Sequence, residues 1–155
     1  MAEPAEWLRV QNDITHRMRN ILIDWLGEVV TEYKLNAQTL FLTVNYIDRF
    51  LCQVPVHRSK LQLVGISCLL IASKIEETRP LLVEELLYIC DNAYDRDQLL
   101  ELELDILTRL KFLLCTQTCH SYLLRHYPFL DLSQSIIIQT QVFIYNMPFL
   151  LAHIL

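Results

Sequence analysis

Between Lys60 and Lys74 the chain reads LQLVGISCLLIAS, a run with no charged residue. Wound into a helix, it places Leu61, Leu63, Val64, Ile66, Cys68, Leu69, Leu70, Ile71 and Ala72 on every side, with Ile75 just beyond. A helix that is apolar all round is stable only where other elements enclose it or where it lies in a membrane. This run is shorter than the roughly 20 residues that cross a bilayer, so it is expected to be the enclosed axis of an all-α bundle.

Composition narrows what such a bundle can do. The 155 residues suffice for one domain with a sizeable core. The hydrophobic fraction of 53% exceeds the roughly 45–50% of ordinary domains, which leaves apolar surface over for partners. A net charge of -5 and a pI near 5.5 argue against nucleic acid, whose phosphates draw clustered Lys and Arg. The two glycines, Gly27 and Gly65, fall inside helical patterns, where close approach of a neighbouring helix is their expected use. Phosphate-cradling loops and nucleophile elbows need glycine at sharp turns, so P-loop, dinucleotide, kinase-lobe and serine-hydrolase chemistries are excluded. No catalytic residues and no cofactor are expected.

The five cysteines, Cys52, Cys68, Cys90, Cys115 and Cys119, are scattered without a CxxC pair and read as small hydrophobes of a reducing compartment. Cys115, Cys119 and His120 lack a fourth ligand at recognisable spacing, and no metal is expected. The N-terminus lacks the apolar core of a signal peptide, so a cytoplasmic or nuclear protein is expected. Residues 132–155 carry no formal charge, but Gln139, Gln141, Asn146, Pro148 and His153 make them a poor membrane span; no membrane partner is expected.

Helical periodicity runs through the chain. The first helix is expected from Ile14 to Tyr33, and a second from Ala37, capped by Asn36, to about Cys52. Ser59-Lys60-Leu61-Gln62 has the form of a capping box opening the third helix, which ends near Glu77. A fourth runs from Pro80 to about Asp91, and a fifth, capped by Asp95-Arg96-Asp97-Gln98, continues to about Leu110. Two more are expected, from Gln117 to His126 and from Ser133 onward.

Two features stand out against this amphipathic frame. The first helix carries apolar residues on two edges, Met18, Ile21, Leu22 and Trp25 on one and Ile23, Leu26 and Val30 on the other, with Arg19 among them. That arc fits either two neighbouring core helices or one core contact and an open patch bordered by Glu28. Second, Glu103 lies among Leu99, Leu100, Ile106 and Leu107, and Asp48 beside Val44, Leu51 and Cys52. A carboxylate on an apolar face is costly unless paired. Arg19 is a candidate partner for Asp48, while Glu103 and Lys74 fit either local structural ions or a boundary with another chain.

MRNILIDWLGEV (Met18 to Val29), NYIDRFL (Asn45 to Leu51), KLQLVG (Lys60 to Gly65), ASKIEE (Ala72 to Glu77) and the Glu103 helix resemble the cyclin box of A-type and B-type mitotic cyclins; NYIDRFL and EYKL stand closer to the A type. The resemblance covers roughly Asn12 to Phe112, in order. It implies a five-helix cyclin fold over 14–112, preceded by a lead-in segment at 1–13 and followed by a partial second cyclin fold at 113–155. In function it implies a non-catalytic regulatory subunit that activates a cyclin-dependent protein kinase and controls cell-cycle progression. The alternatives are a kinase-independent adaptor and a transcription-factor-like module.

Residue by residue, the resemblance implies a kinase-binding set of Lys74, Glu103, Leu63, Ile75, Leu107 and Leu114. It implies a structural ion pair between Arg19 and Asp48. It also implies a docking groove of Met18, Ile21, Leu22, Trp25, Glu28, Leu61, Gln62 and Ile89 for substrates or inhibitors bearing an Arg-x-Leu motif, with Glu28 accepting a hydrogen bond from the arginine. Gln62 is left with two candidate tasks, capping and peptide contact. Thr78-Arg79-Pro80 departs from the YPP that the family usually carries after the paired glutamates.

Overall fold

The computed structural model describes residues 6–118 together with Ser121, Tyr122 and Arg125. It contains five α-helices: α1 (His16–Glu32), α2 (Ala37–Leu51), α3 (Leu61–Glu76), α4 (Val83–Ile89) and α5 (Arg96–Arg109), with 3-10 turns at Glu6–Arg9 and Arg58–Lys60. Among the described residues there is no strand. The helices expected at Gln117–His126 and from Ser133, and the trio that ends in Cys119 and His120, lie wholly or largely outside the described residues.

The axis is α3. From Leu61 to Ser73 every residue except Gln62 is buried, and α1, α2, α4 and α5 all pack on it. Its Ile66, Leu69 and Leu70 are fully enclosed, each contributing about 1.5–3 kcal/mol by leaving water. The buried hydroxyls do not oppose this, because Ser67 donates to the Leu63 carbonyl at 2.8 Å and Ser73 to that of Leu70 at 2.9 Å. Gly65 is where α1 comes closest: a Cβ built on it would stand 2.8 Å from Leu22 Cδ1.

Side-chain hydrogen bonds open the helices with one exception. Thr15 Oγ1 accepts from Met18 N at 3.3 Å, Asn36 Oδ1 from Gln38 N at 2.9 Å, and Gln98 Oε1 from Asp95 N at 3.2 Å. The exception is α3, where the expected Ser59 box is replaced by a 3-10 turn and the helix has no side-chain cap. Ser59 Oγ lies 2.8 Å from His57 Nδ1; the imidazole two residues back has taken the hydroxyl that the box required. The fourth helix is also shorter than expected. Leu81 is drawn into the core and donates its N–H to Ser73 Oγ at 3.3 Å, and Glu85 Oε2 accepts from Leu82 N at 2.8 Å, so helical geometry begins only at Val83.

Three helix ends close without glycine. Leu35, Asn92 and Phe112 donate back to Val30, Leu87 and Leu107 at 2.9, 2.9 and 3.0 Å. In each, the preceding residue, Lys34, Asp91 or Lys111, stands in the left-handed region, where glycine is the usual occupant. Each non-glycine there costs about 1 kcal/mol, which is how so helical a chain manages with two glycines.

The segment before α1 belongs to the core. Trp7 is fully buried. The Gln11 amide donates to the carbonyls of Leu51 at 2.7 Å and Val54 at 2.6 Å, and its Oε1 accepts from Val56 N at 2.9 Å. One side chain thus satisfies the frayed end of α2 and fixes the loop that follows. Asp13 holds that loop from the other side, accepting from the Arg58 backbone at 2.8 Å and from its guanidinium at 2.6 and 2.8 Å. The Arg58 hydrogen bonds keep its carboxyl down at about 2.

Candidate functional site: a charged pair, a cleft and a groove

The C-terminal end of α3 gives each residue of ASKIEE a different task. Lys74 Nζ donates to Glu103 Oε1 at 2.6 Å, joining α3 to α5. Glu77 turns the other way, to the N-terminus of α2, where its Oε1 accepts from Asn36 N at 2.7 Å and from the Thr39 hydroxyl. A carboxylate there meets the positive end of the helix. Glu76 stays exposed, its carboxyl pushed up by partial burial and by the neighbouring Glu77.

Lys74 and Glu103, which the sequence left as separate ions, therefore meet each other. The pair is asymmetric: the Glu103 side chain is 11% exposed and that of Lys74 48%. An ammonium carries three donors, and Glu103 takes one. Around them Ile75 is exposed and Leu107 half-buried.

Sequence reasoning passed over Leu104. It is 61% exposed on the solvent stripe that α5 also lines with Glu101 and Thr108. The available signal was an apolar residue at a position where helical periodicity calls for a polar one.

Ile75 and Leu114 line one cleft of about 370 Å³ with Leu42, Gln38 and Glu76. Leu63 does not join them. It lies eleven residues before Lys74 on α3, about 16 Å along the axis, and is buried. It lines a second cleft, of about 480 Å³, between α5 and the loop after α2.

Arg19 and Asp48 form a two-point pair between α1 and α2, Nε to Oδ1 at 2.6 Å and Nη2 to Oδ2 at 2.7 Å. The planar fork matches the carboxylate, and the side chains are 13% and 28% exposed.

The eight residues that the resemblance assigns to a groove divide by exposure. Leu22 and Leu61 are buried; Met18, Trp25, Gln62 and Ile89 are half-buried; Ile21, 59% exposed, and Glu28 are open to solvent. Gln62 does not cap α3. Its Oε1 lies 3.5 Å from the Tyr94 hydroxyl, which also donates to the Ser59 carbonyl at 3.1 Å. With one edge of α1 built into the core and Ile21 open to solvent, the arc is a core contact with an accessible rim.

No grouping of His, Cys, Asp or Glu among the described residues could hold a metal ion, and no described helix is long and apolar enough to cross a membrane. The Cys68 thiol is pushed up by complete burial and that of Cys90 to about 11 by partial burial, so neither acts as a ready nucleophile.

Comparisons with known proteins agree on one family. The domain described as Cyclin, N-terminal domain, matches residues 2–115. Cyclin-A1-4 of Oryza sativa subsp. japonica is 51% identical over 75% of this chain and 33% of its own. The G2/mitotic-specific cyclin-A of Hydra viridissima is 51% identical over 79% of this chain and 29% of its own, and that of Drosophila melanogaster 50% over 76% and 24%. The chain thus spans a third or less of the length of these relatives. Among solved structures, a viral cyclin from herpesvirus saimiri superposes with a TM-score of 0.76 at 28% identity, covering 86% of this chain and 58% of that one. With its axial α3, its four surrounding helices and this degree of identity, the chain belongs to the cyclin family and is of the A type.

Proposed function

We propose that this chain is a non-catalytic regulatory subunit that binds and activates a cyclin-dependent protein kinase and brings substrates to it through the groove of α1. The observation that carries the proposal is the asymmetric Lys74–Glu103 pair. A purely structural pair has no need to leave its cation half exposed among apolar side chains; a docking surface does. The partner we assign to it is the kinase's regulatory helix. A carbonyl at that helix takes a second Lys74 donor, a backbone N–H meets a remaining Glu103 lone pair, and apolar side chains cover Ile75, Leu107 and Leu114.

Activation then follows from population. A kinase works only with its regulatory helix placed and its activation loop ordered. A subunit that binds this arrangement better than the inactive one shifts the equilibrium by the difference in affinity. In the groove, Trp25 offers broad apolar area to a leucine and Glu28 an acceptor for an arginine, which fits an Arg-x-Leu peptide. The setting we assign is nucleus or cytoplasm, in keeping with the buried free thiols of Cys68 and Cys90; Cys115, expected among the buried cysteines, is exposed.

Calorimetric titration of a cyclin-dependent kinase with the wild-type chain and with Lys74→Ala tests the proposal. A desolvated contact predicts a loss of about 2–5 kcal/mol in binding. Equal affinity of the two chains would sink the assignment of Lys74, and no binding by either would sink the kinase partner.

A further inference from the structure

One wall of the cleft that Ile75 lines, residues 114–117, is built from no helix. After α5 the chain turns back and runs along α2 in the opposite direction, tied there by a ladder of side chains. Arg49 Nη1 donates to the Leu113 carbonyl at 2.8 Å and Nη2 stands 3.5 Å from that of Leu110. Tyr46 donates its hydroxyl to the Leu114 carbonyl at 2.7 Å. Further on, Thr116 donates to Asn45 Oδ1 at 3.2 Å and Thr118 to Gln38 Oε1 at 2.7 Å.

Gln38, Asn45 and Asn45's neighbour one turn on, Arg49, fall within about 40° of one another on α2 at 100° per residue, and Tyr46 joins them from the buried side, about 100° round from Asn45. Tyr46 is completely buried, and that burial pushes its hydroxyl up to about 12, so it remains a donor at any ordinary pH. The segment it holds begins with two strained residues, Lys111 and Phe112, both left-handed, and it turns Phe112 and Leu113 outward into solvent. Backbone held in a costly conformation, with apolar side chains facing water, is retained only where its surroundings over-determine it.

We propose that Tyr46 and Arg49 are positioning residues for kinase binding: they hold residues 110–118 against α2 so that Leu114 faces Ile75 across the cleft at the width a kinase side chain requires. The inference rests on the kinase-binding function proposed above and adds two residues that touch no partner themselves. Tyr46→Phe keeps the ring and removes one donor. Arg49→Met keeps much of the stem and removes the donors to the carbonyls of Leu110 and Leu113. Arg49→Lys returns an ammonium that can again donate to these carbonyls, without the planar fork.

The experiment uses the full chain, with hydrogen exchange on the free protein and calorimetry with a purified cyclin-dependent kinase. In Tyr46→Phe, exchange is expected to quicken in residues 112–118 while α3 stays protected, and kinase affinity to fall about five- to tenfold, the equivalent of one lost hydrogen bond. Arg49→Met should fall at least as far, and Arg49→Lys should recover part of the loss. Unchanged affinity despite faster exchange overturns the inference. So does a loss of affinity that follows a general loss of protection in α3, which would make the two residues merely structural. Failure of the wild-type chain to bind kinase overturns the proposed function itself and is read before any variant is compared.

Discussion

Two of the ion pairs among the described residues are built on opposite plans. Arg19–Asp48 is a two-point fork between α1 and α2, with both partners largely withdrawn from water. Lys74–Glu103 is a single contact between α3 and α5, deep at the carboxylate and open at the ammonium. The first is a two-point contact that withdraws most of both groups from water, and it serves the fold. The second spends one donor of three and keeps its cation at the surface. The comparison teaches that the exposure of the cation after pairing, rather than the pairing itself, separates a structural ion from one available to a partner.

The largest expected effect would break the comparison at its closed end. Arg19→Ala strands the Asp48 carboxylate in a largely buried site and should cost about 3 kcal/mol of stability, read as a lowered urea midpoint at constant slope. A cost below that of an ordinary surface substitution would remove the distinction.

At the open end, Lys74→Ala removes a single contact from a half-exposed ammonium but leaves the buried Glu103 carboxylate unpaired, so it should cost the free chain about 2 kcal/mol. The pair Lys74→Met with Glu103→Leu should restore that stability by removing the buried charge altogether, and still fail to bind kinase. Recovery of binding in the double variant would reduce the pair to packing.

A smaller effect sharpens the contrast through salt. Raising ionic strength to about 1 M shrinks the screening length to about 3 Å. Thermal unfolding should then show the Lys74→Ala cost diminished and the Arg19→Ala cost nearly intact.

The smallest concerns Asp13, whose Oδ1 takes both Nε and Nη2 of the largely exposed Arg58 while its Oδ2 accepts from the Arg58 backbone. Its folded carboxyl titrates at about 2 against an ordinary 3.8. Its contribution is therefore fully present above 3.8 and is lost as pH falls through 2. An Asp13→Asn chain should match the wild type more closely at pH 2 than at pH 6 in chemical unfolding; a constant gap across that range would contradict the assignment.

Much of this was legible in the sequence where one residue type implies one environment. The all-round apolar run could only be an axis, and Glu103 on an apolar face had to be paired. What stayed hidden were choices among partners distant in sequence. Nothing in periodicity says that Lys74 reaches Glu103 while Glu77 reaches the start of α2. Nor does it say that His57 takes the hydroxyl of Ser59, or that Leu63 faces a cleft remote from Ile75. Trp7 and Gln11 were hidden for a different reason: they precede the first amphipathic helix, and a single glutamine tying three backbone groups leaves no periodic trace. The ladder on α2 did leave one, polar residues at 38, 45 and 49 on a face otherwise marked by Leu42, but its meaning required the returning chain.

Gly65 offers a last consequence. Leu22 floors the proposed groove, and it sits as low as it does because nothing projects from α3 beneath it. A methyl group at that one spot would lift the leucine toward the mouth, leaving a receptor too shallow for its guest while the scaffold stayed upright. In the proposed groove, recruitment would thus rest on a missing carbon one layer beneath the leucine that the guest would touch.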